Sequence, residues 1–148
     1  MLMRIVMLLS LLLASVAQAG QPTYQCGKLP FFTARSADGA HVDLAISDDA
    51  IRAAPAWWPG RGEPPISLQK VVSIATAWAA ANRGRFDELR IREITLASVP
   101  CSGKEVPWYY RVGFDPVLDG EQLSTNAHFI AILMDGKVVV PRRFDGGS

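Results

Sequence analysis

Ile66–Gly84, ISLQKVVSIATAWAAANRG, is the stretch on which the reading of this chain turns. It has the spacing of one amphipathic helix. Ser67 is a good N-cap, because its hydroxyl can accept from a free first-turn N–H. Ile66 and Val71 occupy the two positions of a hydrophobic staple. Pro64 and Pro65 keep the approach extended and stop the helix from starting earlier. At 100° per residue, Leu68, Val71, Val72, Ala75, Trp78 and Ala79 fall on one stripe. Gly84 suits the C′ position, with Arg83 near the negative end of the dipole. The other face carries Gln69, Lys70, Ser73 and Thr76, then Ala77, Ala80 and Ala81. Those alanines serve helix propensity or form a contact surface for the N-terminal segment or a partner.

Beyond Gly84 the period changes from helix to strand. Leu89 and Ile91 alternate, and Ile94 and Leu96 continue in the opposite phase, so a β-bulge is expected near Arg92 or Glu93. Trp108–Phe114 is a strong strand with Trp108, Tyr110, Val112 and Phe114 on one face. DPVLDGEQ, residues 115–122, reads as a polar loop. A strand ending at Met134 meets Asp135-Gly136, a type I′ hairpin signal. That turn would pair Leu133 with Val138 and Ala131 with Val140, leaving Ile130, Ile132 and Val139 on the other face. The hairpin is therefore apolar on both sides. One side can cover the helix, and the other needs the N-terminal segment, a second sheet face or a partner. Upstream, Gly20–Leu29 reads as an extended arm. Phe31–Arg35 and His41–Ile46 flank a turn at Asp38-Gly39. Ser47-Asp48-Asp49 caps a short helix reaching about Ala54.

The fold expected is α+β: one long helix packed on an antiparallel meander of about four strands. Residues 64–148 form that core, and residues 20–63 are an N-terminal extension of a hairpin plus a short helix, with the N-terminal third wrapping the outside of the main helix. PISLQKVVSIATAWAA (65–80), LRIREITL (89–96), PWYYRVGF (107–114) and HFIAILMDGKVVVP (128–141) follow one another in an order that resembles the PepSY-like group, a small cystatin-like α+β family. The resemblance covers about Pro65 to Pro141. It implies an exported or membrane-attached protein with a non-catalytic role, either restraining a peptidase or acting as an accessory binding module. The chain shows no peptidase domain to restrain in cis, so a partner would be a separate molecule.

Met1–Ala19 has the build of a secretory signal peptide. Arg4 supplies the positive start, Ile5–Ala14 the apolar run, and Ala17-Gln18-Ala19 the cleavage site. The run is short for a membrane span. A mature chain starting at Gly20 is expected to be exported, periplasmic or secreted, and not membrane-spanning. Removing Arg4 from the 15 Lys and Arg leaves 14 against 14 Asp and Glu. That balance speaks against nucleic acid or an anionic membrane surface as partner. Cys26 and Cys101, both in the exported part, are expected to bond in an oxidising compartment. On the chain-entropy model the bridge would stabilise by about 4.5 kcal/mol.

No catalytic constellation is evident. A thiol hydrolase pairing Cys101 with His128 needs a free thiolate and a base within hydrogen-bond reach. A metal site from His41, Asp43 and His128 lacks recognisable ligand spacing. Asp48 and Asp49 are accounted for by helix capping, and no G-x-S-x-G elbow, P-loop or H-E-x-x-H is present. No cofactor is implied. The candidate binding surface is Trp57 and Trp58 in a Pro/Gly loop, where adjacent indoles can face a ligand or pack the core. Tyr109 and Arg111, pointing away from the Trp108 face, can flank a groove. Arg142-Arg143 closes the last strand as a solvated basic end or a carboxylate clamp. The function expected is a non-enzymatic binding module for an envelope protein or peptide, or one that inhibits a peptidase, with β-augmentation at a free sheet edge as one mode. The alternatives are an uncharacterised hydrolase using Cys101 and His128, and a purely structural envelope protein.

Overall fold

Residues 108–118, WYYRVGFDPVL, run through the middle of the molecule and are buried at almost every position. The computed structural model describes residues 25–26, 31–102 and 106–144. The expected signal peptide, residues 1–19, and most of the expected N-terminal arm lie outside the described residues. In chain order the elements are β1 (Gln25–Cys26), β2 (Phe32–Arg35), β3 (His41–Leu44), α1 (Asp48–Ala53), α2 (Leu68–Ala81) and β4 (Glu88–Ser98). There follow β5 (Cys101–Ser102), β6 (Trp108–Leu118), β7 (Glu121–Gln122), β8 (Phe129–Ile132), β9 (Val138–Val139) and β10 (Arg142–Phe144).

The expected long helix on a four-stranded meander is not what forms. The described residues are mostly antiparallel sheet with two short helices, and α2 spans only 14 residues. One sheet has the order β4-β6-β8-β9, with β7 also paired to β6. A second has the order β10-β3-β2, and β1 pairs with β5. The reason lies in the two faces of the central sheet. Tyr110, Val112 and Phe114 of β6 and Ile130 and Ile132 of β8 pack with Val71, Ala75 and Ala79 of α2. Tyr109 of β6 and Phe129 and Ala131 of β8 pack with Ala34, Val42, Leu44, Ala50 and Ile51. Strict alternation of large apolar side chains along β6 and β8 demands cover on both sides, at roughly 1.5–3 kcal/mol per buried aliphatic or aromatic residue. A single helix supplies one side. The second sheet and α1 supply the other.

The expectation that the N-terminal third wraps the helix is corrected by the same packing: its hairpin and α1 lie on the face of the sheet opposite α2. The outer face of α2 stays open. Leu68 and Val72, expected in the apolar stripe, are exposed, and the buried stripe is Val71, Ala75 and Ala79. Ser67 does cap the helix, its side chain accepting from Lys70 N at 3.2 Å. Ser47 caps α1 in the same way through Ala50 N. Arg142 and Arg143 do not end the last strand of the meander. They belong to β10, which returns to pair with β3, Arg142 opposite Asp43 and Arg143 opposite Val42.

Two Asp-Gly turns differ from expectation. Asp119 and Gly120 both have positive φ, 53° and 81°, and join β6 to β7 with Leu118 opposite Glu121. That is the two-residue geometry expected instead at 135–136. At the later turn only Gly136 has positive φ, 85°. Asp135 Oδ1 accepts from Lys137 N at 2.9 Å, and Leu133 N donates to Lys137 O. The loop thus has three residues, and the register moves by one: Ala131 faces Val139 and Ile132 faces Val138. Val138 and Val139 consequently exchange the faces expected of them. The bulge in β4 does form, the register shifting between Ile91 and Glu93.

Candidate functional site

The residues singled out as a possible binding surface are not brought together. Trp57 is buried with the helix-side core, and its Nε1 donates to Gly62 O at 3.1 Å. Trp58 is half-buried, with the Arg61 guanidinium 4.7 Å from its ring centroid. Tyr109 lies on the opposite side of the sheet and is 2% exposed, so it flanks no groove. Burial also raises its phenol pKa above the ordinary value, against a smaller lowering by Arg111. Arg111 is half-buried and stacks 3.9 Å from the centroid of Phe32, its charge spent on that ring. Cys101 packs at the margin of the second core and is not a free thiol. The clefts that His128 lines do not include Cys101. His41 and Asp43 sit on β3. Among the described residues no three His, Cys, Asp or Glu side chains are grouped to hold a metal ion.

What the fold does assemble is a groove between two loops. One wall is the β2–β3 turn, Ser36–Asp38, and the other is the segment after β7, Leu123–Asn126. The central cleft has a volume of about 760 Å³ and is floored by Phe86, Pro116 and His128. At one end it shares Arg85, Phe86, His128 and Arg143 with a more apolar depression lined by Trp78, Phe129 and Val140. At the other end it shares Ser36, Ala37, Ser124 and Thr125 with a shallower depression reaching Arg35 and Arg92. Three depressions thus form one row joined through shared lining residues, most apolar at the Trp78 end and less so toward Arg92.

Both walls are held by specific bonds. In the first, Ser36 Oγ donates to Asp38, Ala40 N donates to Asp38 Oδ1 at 3.3 Å, and Arg143 pairs with Asp38. The Ser36 bond, then Arg143 and the Ala40 amide, hold the Asp38 carboxyl down at about 2. In the second, the β4 bulge leaves Arg92 outside the ladder register and aims it across the sheet. Its guanidinium reaches Asp115 Oδ1 at 3.2 Å and Thr125 O at 2.5 Å. Gln122 Nε2 donates to the other Asp115 oxygen at 2.9 Å. Gly113 makes room for this crossing, because a Cβ there would lie 2.9 Å from Arg92 Nη2.

The floor is electropositive. His128 packs edge-on against Phe86, with ring centroids 5.2 Å apart, and its Nδ1 is buried with no hydrogen-bond partner among the described residues. Burial first, then the charges of Arg143 and Arg85, push its pKa below the ordinary value, so the ring is neutral near pH 7. Arg85 stacks on Phe86 at 5.3 Å and makes no ion pair among the described residues. Among the described residues no carboxylate and no nucleophile is hydrogen-bonded to the imidazole. It is well set as the floor of a binding groove. None of Ser36, Arg85, Phe86 or Thr125 stands out in the sequence, because they come from three separate loops. The one available signal was the cation pair Arg83 and Arg85 flanking Gly84 at the end of the helix.

Fold and site together define an antiparallel β protein with a loop-walled cationic groove. Comparison with protein-family models, with curated proteins and with solved structures finds no match. Among the described residues, no helix is long and apolar enough to cross a membrane.

Proposed function

We propose that this protein is an exported, non-enzymatic binding module that takes an extended segment of an envelope protein or peptide into the groove between Ser36–Asp38 and Leu123–Asn126. The observation that carries this reading is the row of depressions. Three depressions joined through shared lining residues suit an extended chain better than a compact metabolite. The likeness of the sequence to the PepSY-like group favours the same non-catalytic role. The free edge of β4 is a weaker candidate for strand addition. It carries Glu88, Arg90, Arg92 and Glu93 and a bulge, the features that guard an edge against pairing.

Export through a cleaved signal peptide and a Cys26–Cys101 bridge belong to the same proposal. The backbone register sets Cys26 directly opposite Cys101 in an antiparallel pair. Directly opposed residues there lie about 4.5–5.5 Å apart at Cα, within the range a disulfide spans. Export is tested by the mass of the protein recovered from the envelope, which is expected to begin at Gly20. Retention of Met1 would refute it. Binding is tested by isothermal titration of the mature protein with randomised hexapeptides, alongside a Thr125→Trp variant that fills the channel. Saturable binding to the wild type, lost in a normally folded Thr125→Trp, is the expected result. Binding that survives the plugged channel, or no binding to the wild type, overturns the groove.

A further inference from the structure

We infer that the apolar end of the groove recognises the free C-terminal carboxylate of a chain whose last residue is apolar, with Arg85 as the carboxylate ligand. This inference rests on the peptide-binding reading above and names the chemistry of its ligand. Arg85 is exposed, lines both adjoining depressions, and makes no ion pair among the described residues. Its guanidinium carbon lies over the Phe86 ring, 5.3 Å from the centroid. Its planar fork of donors matches the two oxygens of a carboxylate. Arg143 lines the same cleft but is paired with Asp38. The neutral imidazole of His128 adds no competing cation.

The adjoining depression supplies the second half of the recognition. Its volume of about 280 Å³ is several times a water's share of about 30 Å³, room for one aliphatic or aromatic side chain. Trp78, Phe129 and Val140 line it. Val140 is 54% exposed there, an apolar surface that a ligand side chain would cover. The two halves share Arg85, Phe86, His128 and Arg143, so one ligand residue carrying both a charge and an apolar side chain would reach both. An internal acidic residue would need a second, apolar residue two positions along to present both on the same face. At a C-terminus, carboxylate and side chain leave the same Cα. The rest of the ligand then runs along the central cleft past Ser36 and Thr125.

The test is fluorescence polarisation of the full mature protein with hexapeptides ending in Leu or Phe as free acids, the same peptides as C-terminal amides, and peptides ending in Lys, with inorganic phosphate as competitor. The free acids are expected to bind at least tenfold tighter than the amides and than the Lys-terminated set. Arg85→Gln should abolish that difference while the thermal midpoint stays unchanged, and Arg52→Gln on α1 serves as the neutral control. Acids and amides binding equally well, in wild type and Arg85→Gln alike, overturn the carboxylate inference and leave the groove reading standing. Displacement of every peptide by millimolar phosphate would mark a general anion site and also overturn it. No binding by any hexapeptide removes the groove reading itself.

Discussion

Arg92 is the side chain that ties the groove to the sheet, and replacing it with Met tests how the site is built. Asp115 is only 3% exposed, and its two oxygens are served by Arg92 and Gln122. Arg92→Met keeps much of the side-chain volume but leaves a buried carboxylate with one donor. Breaking a buried pair from one side costs about 3–5 kcal/mol. The Arg92 side chain is 27% exposed, so water can enter and replace part of what is lost. The bond to Thr125 O is also lost, but that carbonyl can rehydrate at a cost of about 1 kcal/mol or less. We expect a loss of about 3 kcal/mol, which for a domain of this size lowers the midpoint by roughly 10 °C. Urea titration and calorimetry measure it. Adding Asp115→Asn to Arg92→Met should return at least half of the loss, because the stranded charge is then gone. Hydrogen exchange should show faster exchange over Leu123–Ala127 in the single variant. An Arg92→Met protein within about 0.5 kcal/mol of wild type, or two substitutions that simply add, would refute the account of this wall.

Gly113→Ala places a Cβ 2.9 Å from Arg92 Nη2 and 3.1 Å from Glu93 Cγ. It should cost about 1–3 kcal/mol in wild type and measurably less in Arg92→Met, as read by paired urea melts. Cys26→Ser should lower stability by about 4.5 kcal/mol on the chain-entropy model, with wild type matching it under reductant; a wild-type protein indifferent to reductant would refute the bridge. His128 has a folded pKa below its ordinary value of 6.5. Between those two values the folded state binds fewer protons than the unfolded one. Its contribution to stability is therefore complete above pH 6.5 and is lost progressively as pH falls below it, levelling off beneath the folded value. Midpoints recorded from pH 8 to pH 5 should show this slope in wild type and a flatter one in His128→Gln.

Much of the local structure was legible in the chain because it depends on neighbours a few residues apart. The caps at Ser47 and Ser67 need only a hydroxyl and the following amides. The phase change from Leu89–Ile91 to Ile94–Leu96 placed the bulge at Arg92. The Asp38-Gly39 turn followed from its flanks, with Gly39 at φ 85°. The double-sided character of β8 was equally plain in its composition. The site was not legible. Trp57, an aromatic in a Pro/Gly loop, looked available for a ligand, yet it is buried with its Nε1 bonded to Gly62.

The sequence by itself determined the β2–β3 hairpin, the caps of both helices, the bend in β4, and that the late hairpin is apolar on both faces. Only the tertiary structure decided what covers them. The 64–84 region looked like the organiser because helical periodicity is a strong local signal. The second layer is instead set by matching apolar surfaces far apart in the chain, Val42 and Leu44 against Tyr109 and Ala131, for which no local spacing exists. The same long-range closure brings β10 back to β3 and so sets Arg143 beside Asp38. The Gly136 turn, with one positive φ where two were expected, decided the register of β9. The groove arises where the ends of these two sheets meet. Its chemistry is tertiary because its walls come from loops whose only relation is the packing beneath them.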